Sequence, residues 1–324
     1  MGEFELIRRH FQRHTQPQPA QVVLGIGDDC ALLQPAPGHQ LAISSDMLVQ
    51  GRHFFADVDP AALGHKALAV NLSDLAAMGA RPLGFTLALA LPQADNAWLS
   101  AFAQGLFALA DTHACPLVGG DTTRGPLNIC ITVFGELQPG QALRRSAAQP
   151  GDDLYLSGRT GEARLELELL LGTDWAQHHT LPGALHRLRP RLERPTPRLA
   201  LGQALAGLAH AALDLSDGLA GDLGHILHAS GVGATIHQAL LPVAPDLQAL
   251  PEAQRLDCLL HGGDDYELLF TAAPAQRAAV AAAAQTSQTP VQRIGHINAA
   301  PGLWLLNAAG EQATLSPRGF DHFG

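Results

Sequence analysis

Six short segments of this chain end in aspartate or, in one case, aspartate-glycine, most of them with the aspartate behind glycine or serine, and they are spread over both halves. They are Gly27-Asp28-Asp29, Ser44-Ser45-Asp46, Asn71-Leu72-Ser73-Asp74, Gly119-Gly120-Asp121, Asp214-Leu215-Ser216-Asp217-Gly218 and Gly262-Gly263-Asp264-Asp265. Two carboxylates brought within about 4 Å of each other repel by roughly 4 kcal/mol at an effective dielectric near 20. A fold that gathers several of them therefore needs hard cations, and hard cations beside tight glycine turns point to a nucleoside triphosphate.

Each segment taken alone has an ordinary reading, because glycine and aspartate are common turn residues. Two features raise the chemical reading. Ser44-Ser45-Asp46 and Asp214 to Asp217 each follow an apolar run, so their polar atoms are expected at a strand end. Asn71 to Asp74 interrupts a helical apolar stripe, where an uncompensated carboxylate is costly, so Asp74 is expected to face a cation or a cleft. Gly119-Gly120-Asp121 offers small residues where backbone can approach phosphate, together with a carboxylate for its metal. Arg144-Arg145 reads equally well as a polyphosphate clamp or as a solvated pair. A calcium loop starting at Asp214 fails, because Leu219 and His225 stand where glycine and glutamate belong.

Several chemistries are excluded. Lys66 is the only lysine, and it lies outside any G-x-x-x-x-G-K-[ST] phosphate loop. There is no G-x-S-x-G and no H-E-x-x-H. Phosphoryl transfer needs none of these, since it rests on positioning and charge neutralisation.

A net charge of −10 without a basic, aromatic-rich run argues against a nucleic-acid partner. No apolar run reaches the length of a membrane span, and Met1 to Glu5 does not resemble a secretory signal. Cys30, Cys115, Cys130 and Cys258 are widely spaced and read as free thiols of a cytoplasmic protein.

The elements that must position these residues follow from periodicity. Phe4, Ile7 and Phe11 mark a short amphipathic helix, and Leu41 to Ser45 reads as a strand running into Asp46. Asp59-Pro60 starts a helix, with the cap before the proline, that continues to Gly79. Runs 85–91 and 128–134 are strands flanking a helical stretch over 95–113. In the second half, helices are expected over 163–171, 198–208, 219–230 and 276–285, and strands over 154–157, 212–215, 267–271 and 291–297. The proline- and arginine-rich stretch 181–198 reads as a solvated connection, with His178, His179 and His186 on its surface. At 324 residues and 47% apolar composition, two domains of ordinary size are expected, divided at the polar turn 147–152. Helices and strands mix without a uniform β-α-β rhythm, so the class is α+β.

In order, GIGDDCALL, AISSDMLVQGRHF, ALAVNLSDLAAMGARP, VGGDTTRG, LDLSDGL and GGDDYELLF closely resemble the thiamine-monophosphate kinase family. The similarity runs from the first helix to the tail at Gly319 to Phe323. This family belongs to a superfamily with aminoimidazole ribonucleotide synthetase and selenophosphate synthetase. The resemblance implies ATP- and Mg2+-dependent phosphorylation of thiamine phosphate to thiamine diphosphate, with several ions bound. It implies residues 1–148 as an ATP- and magnesium-binding domain of mixed α/β type, whose sheet pairs with a second subunit in a homodimer. Residues 149–324 form an α+β domain that completes the active site.

Carried over position by position, the resemblance implies Asp29, Ser44, Ser45, Asp46, Asp74, Asp121, Asp214 and Asp217 as magnesium ligands. Gly120, Asp121, Arg145 and Ser216 are implied nucleotide contacts, and His53, Asp264 and Phe320 hold thiamine phosphate. No general base is implied, because the acceptor is already an anionic phosphate oxygen. Family members commonly carry Gly-Gly-Glu-Asp where this chain has Gly262-Gly263-Asp264-Asp265, and often tyrosine or tryptophan at the position of Phe320. A sister synthetase of the superfamily and a catalytically idle nucleotide-binding protein are the alternatives. The selenium enzyme is disfavoured, because the segment before Gly25 has neither cysteine nor lysine.

Overall fold

The computed structural model describes residues 3–13 and 19–319. The chain falls into two compact units, one made of residues 1–75 and 80–140, the other of residues 76–79 and 141–324. It begins with α1 (Glu3–Leu6), which continues as a π-helical turn over Ile7–Phe11 and buries Leu6 and Phe11.

The first unit pairs two short strands, β1 (Val22–Leu24) and β2 (Leu32–Leu33), beside a four-stranded sheet. That sheet consists of β3 (Gln40–Val49), β4 (Arg81–Leu91), β5 (Leu117–Arg124) and β6 (Asn128–Leu137), in the order β3-β6-β4-β5. The β3/β6 and β6/β4 pairs are antiparallel and β4/β5 is parallel. Two helices accompany it, α2 (Pro60–Met78) and α3 (Asn96–Thr112).

Both helix starts are capped as their sequences require. Asp59 Oδ2 accepts from the Ala62 amide at 2.9 Å ahead of Pro60, and Asp95 Oδ1 accepts from Ala97 and Trp98 at 2.8 and 3.2 Å. The two helices touch through glycines, since an added Cβ would lie 2.1 Å from the Phe102 carbonyl at Gly64 and 1.8 Å from the Ala61 carbonyl at Gly105. Cross-strand partners share a face. The face carrying Phe85, Leu87, Ile129, Ile131 and Val133 is buried, as are Leu68, Leu72 and Leu75 of α2. Burying each such side chain contributes about 1.5–3 kcal/mol.

The second unit has a seven-stranded sheet built from β7 (Asp153–Ser157), β8 (Ala211–Asp214), β9 (Gly233–His237), β10 (Leu268–Ala272), β11 (Val291–Asn298), β12 (Gly302–Leu306) and β13 (Gln312–Thr314). Its order is β13-β12-β9-β11-β7-β10-β8, antiparallel throughout except for β9/β12. The helices are α4 (Glu162–Leu171), α5 (Asp174–His179), α6 (Ala184–Glu193), α7 (Leu199–Leu205), α8 (Leu219–Ser230), α9 (Pro245–Gln248), α10 (Glu252–His261) and α11 (Arg277–Thr286). Leu156, Leu213, Ile236 and Leu269 of the strands cluster with Leu165, Leu223, Ile226 and Leu259 of the helices. The mixture of segregated helices and mostly antiparallel strands is α+β, as expected.

Three local expectations need correction. Stretch 181–198 is not a simple connection, because it contains α6, whose Ala184, Leu188 and Leu192 are buried at helical spacing. Arginine and Pro190 masked that stripe, although His178, His179 and His186 are exposed. Strand β3 does not end at Ser45 but continues through Asp46 to Val49. Gly119-Gly120-Asp121 is not a turn but part of β5.

One buried group works against stability. Glu166 on α4 is fully buried, and neither carboxylate oxygen has a hydrogen-bond partner among the described residues. Burial pushes its pKa from 4.5 up to about 7, against the pull of Arg189 and with the help of Glu193. Between those values the folded chain holds a proton that the unfolded chain has released, so stability falls as pH rises through the window. Replacing the carboxyl with a neutral amide removes the charged form. Glu166→Gln is expected to raise stability by about 1–3 kcal/mol at pH 8 and to change it little at pH 4.5, read by urea unfolding at both values.

Candidate functional site

The first unit positions its acidic residues by the two-residue period of β3. Ser44, Asp46 and Leu48 share a face with Val133, Ile131 and Ile129 of β6, the buried face. Ser44 Oγ donates to Asp74 Oδ2 of α2, and the Asp46 amide donates to Asn71 Oδ1 at 3.0 Å. Asn71 is itself buried and donates to the Ala67 carbonyl at 3.0 Å, so α2 is held against the middle of β3 by polar groups. Asn71 thus carries a positioning role that its sequence context alone did not reveal.

Ser45 does not join this group. The same alternation turns it to the opposite face, where its hydroxyl bonds to Thr132 Oγ1 at 3.0 Å and the Ile131 carbonyl at 3.1 Å. That face is exposed and partly apolar, with Leu41, Ile43 and Met47 at 44%, 60% and 53% exposure.

In β5, Gly120 pairs with Leu87 and has φ +147°, and an added Cβ would lie 1.9 Å from the Leu87 carbonyl. No side chain fits there, which sets the path of β5 into the exposed Asp121. Asp28 and Asp29 are also exposed, with the Asp29 amide bonded to Asp28 Oδ1 at 2.9 Å.

His53 closes a turn after β3. Its amide donates to the Val49 carbonyl, and its Nδ1 accepts from the Val49 amide, both at 3.0 Å. With Nδ1 accepting, the ring proton resides on Nε2, which makes that atom a donor. Lys66, the sole lysine, is buried and donates to the His53 carbonyl at 3.4 Å.

In the second unit the other two acidic segments lie side by side. The Leu215 amide donates to the Glu267 carbonyl and the Tyr266 amide to the Leu215 carbonyl, both at 2.8 Å. The Asp264 amide donates to the Ser216 carbonyl at 2.9 Å. An added Cβ on Gly263 would sit 2.5 Å from that same carbonyl, so only glycine permits the approach. Asp264 and Tyr266 adopt φ +66° and +49°, a strained conformation that its surroundings must enforce.

Asp214 is buried at the end of β8, as the strand-end expectation required. Arg145 lies in an exposed 3-10 turn, and its carbonyl accepts from Ser230 Oγ at 2.8 Å. Gly319 lies beside Asp217, with an added Cβ 3.2 Å from Asp217 Cβ. Phe320 is outside the described residues.

Two carboxyls that sequence reasoning did not single out support these loops. Asp222 accepts from the Asp217 and Gly218 amides, and burial, aided by Asp217, pushes its pKa up to about 7 against those amides and Arg145. Asp265 is fully enclosed, accepts from the Gly161 amide at 2.8 Å, and is held well above the usual carboxylate range by burial. The next carboxyl, Glu267, is a structural hub, bonded to Ser157 Oγ at 2.6 Å and to Arg198 at 2.6 and 2.7 Å. The repeated acidic residue at the loop Asp264 to Glu267 was the one available signal.

The donor set is all oxygen, carboxylate and hydroxyl, which fits a hard divalent cation. Among the described residues no three such groups are already drawn into a cage. Magnesium commonly keeps several waters and is held by one or two carboxylates plus substrate phosphates.

Comparison with known proteins extends this picture. The model for AIR synthase related protein, N-terminal domain, matches residues 27–137, and that for the C-terminal domain matches residues 149–305. The two units are thus those of the AIR synthase related class. The thiamine-monophosphate kinase of Salmonella typhimurium is 46% identical over 99% of this chain and 98% of its own length. A crystal structure of the Stenotrophomonas maltophilia thiamine-monophosphate kinase superposes with a TM-score of 0.83 at 48% identity, covering 91% of this chain and 93% of that one. A structure described as AaThiL complexed with AMPPCP and TMP superposes with a TM-score of 0.77 at 28% identity, covering 90% and 89%. The chain belongs to the thiamine-monophosphate kinase family.

The close approach at Gly120 yields a direct test. Gly120→Ala is expected to separate β5 from β4 and to lower the thermal midpoint by about 2–5 °C, equivalent to ~1–3 kcal/mol of overpacking.

Proposed function

We propose that this chain phosphorylates thiamine phosphate with ATP, giving thiamine diphosphate and ADP. The observation that carries the reading is near-complete coverage at 46% identity by a thiamine-monophosphate kinase, with the acidic motifs placed in both units. A terminal oxygen of thiamine phosphate attacks the γ-phosphorus. The bond from that phosphorus to the β-γ bridging oxygen breaks, and ADP departs with the electron pair.

Two polyanions must meet in line, so the main barrier is their repulsion. Bound magnesium supplies charge neutralisation at the phosphate oxygens. Asp29, Ser44, Asp46, Asp74 and Asp121 of the first unit are the residues we assign to hold it, together with Asp214 and Asp217 of the second. Ser45 is the weakest member of the set, because its hydroxyl lies on the other face of β3. Gly120, Asp121, Arg145 and Ser216 are assigned to the nucleotide. His53 is assigned to the acceptor phosphate through its Nε2–H donor, Asp264 of the second unit is likewise assigned to the acceptor, and Phe320 is assigned to the thiamine ring. No residue is needed as a general base, since the attacking oxygen is already anionic.

We also propose a homodimer formed through the exposed face of β3. Leu41, Ile43 and Met47 are apolar and face outward from the edge strand, and burying such side chains against a second copy is favourable at ~25 cal/mol per Å2. We place the enzyme in the cytoplasm. The four cysteines are free thiols, which fits that compartment, and no helix among the described residues is long and apolar enough to cross a membrane.

Incubation with ATP, magnesium and thiamine phosphate should yield thiamine diphosphate by chromatography, whereas free thiamine should not be converted. Absence of product from folded protein would refute the reading. Asp121→Asn should lower turnover by at least about 100-fold with the fold intact, in line with the loss of a charge-stabilising group. Ile43→Asp should convert a dimer to a monomer in sedimentation velocity, and an unchanged dimer would remove β3 from the interface.

A further inference from the structure

The turn from Asp214 to Gly218 is held by a side chain to which none of the roles above is assigned. Asp222 stands in the first turn of α8 and is 4% exposed. Its Oδ2 accepts from the Asp217 amide at 3.0 Å and from the Gly218 amide at 3.1 Å. Its own amide donates to the Gly218 carbonyl at 2.9 Å, so one aspartate grips both polar groups of Gly218.

The bond to Gly218, the N-cap residue of α8, resembles the return half of a capping box. The bond to Asp217 reaches one residue further upstream, into the turn itself. The two amides belong to the residue assigned to magnesium and to the glycine that follows it. Gly218 has φ +119°, which glycine adopts readily and other residues rarely do, so the turn is free to take this path.

The opposite flank of the turn is gripped as well. The Ser216 carbonyl accepts from the Asp264 amide, and Gly263 leaves no room for a side chain against it. Ser216 and Asp217 are therefore fixed between Asp222 on one side and the strained loop of Asp264 on the other. Releasing the Asp222 side frees the turn to rotate about its remaining bonds to Asp264 and Tyr266.

We propose that Asp222 is a positioning residue for phosphoryl transfer: by accepting from the Asp217 and Gly218 amides, it sets the direction in which Ser216 and Asp217 present their oxygens. The inference rests on the kinase reading. The requirement is for an acceptor at the Oδ2 position, which an asparagine carbonyl oxygen also provides and an alanine does not.

The test compares turnover and the magnesium concentration for half-maximal rate in the wild type, Asp222→Ala and Asp222→Asn, with thermal unfolding measured on each. Misplacement of an orienting group by about 1 Å costs on the order of 100-fold. Asp222→Ala is therefore expected to lose about 10- to 100-fold in kcat and to need severalfold more magnesium, while Asp222→Asn recovers most of both. Asp222→Ser, too short to reach the two amides, takes the place of alanine if that variant does not fold.

A folded alanine or serine variant with wild-type kcat and magnesium requirement overturns the proposal. So does an equal loss in the asparagine variant. A wild-type chain without turnover counts against the kinase reading, whereas an active wild type with no difference between the variants counts against Asp222.

Discussion

Like charges resist being gathered, and both units are arranged around that constraint. Asp74 and Asp222 are each tied to neutral donors rather than to another carboxylate. Ser44 serves Asp74, Asn71 fixes the backbone at Asp46, and the amides of Asp217 and Gly218 serve Asp222. On the proposed function, a ligand bringing both phosphates and metal would meet side chains whose directions these bonds had already set, with the ordering cost met by folding.

The supporting carboxyls follow the same logic at greater depth. Glu267 is 1% exposed yet fully engaged by Ser157, Arg191 and Arg198. This network joins β7, α6 and the approach to α7 beneath the loop of Asp264. Removing one partner of such a network leaves a buried charge uncompensated, which costs about 3–5 kcal/mol. Glu166 on α4 lacks such partners, and burial raises its pKa to about 7.

Much of this was legible in the sequence, and the misses share a cause. Helix α8 runs from Leu219 to Ser230 as its apolar spacing predicted, and Asp59-Pro60 capped α2 as expected. Both depend on local chemistry alone. The failures depend on partners distant in the chain. Asp46 and Gly120 look like turn residues, but β6 and β4 extend their strands through them. Helix α6 was hidden because arginines read as solvent-facing, whereas Arg191 reaches Glu267 and Arg187 reaches Asp246. The face assignment of Ser45 followed from strand alternation once the strand was known to continue. Asp222 carries no motif of its own; only the hydrogen bonds across the turn give it a role.

Lys66 is the only lysine, and it is 3% exposed beneath His53. The cations the protein shows to solvent at neutral and alkaline pH are therefore guanidinium groups, with no accessible side-chain amine. Guanidinium keeps its charge well into the alkaline range, so alkaline conditions leave these cations in place. Reagents that couple to side-chain amines for cross-linking or immobilisation find no target on the folded surface. An ε-amine that becomes reactive reports instead that the turn around His53 has opened.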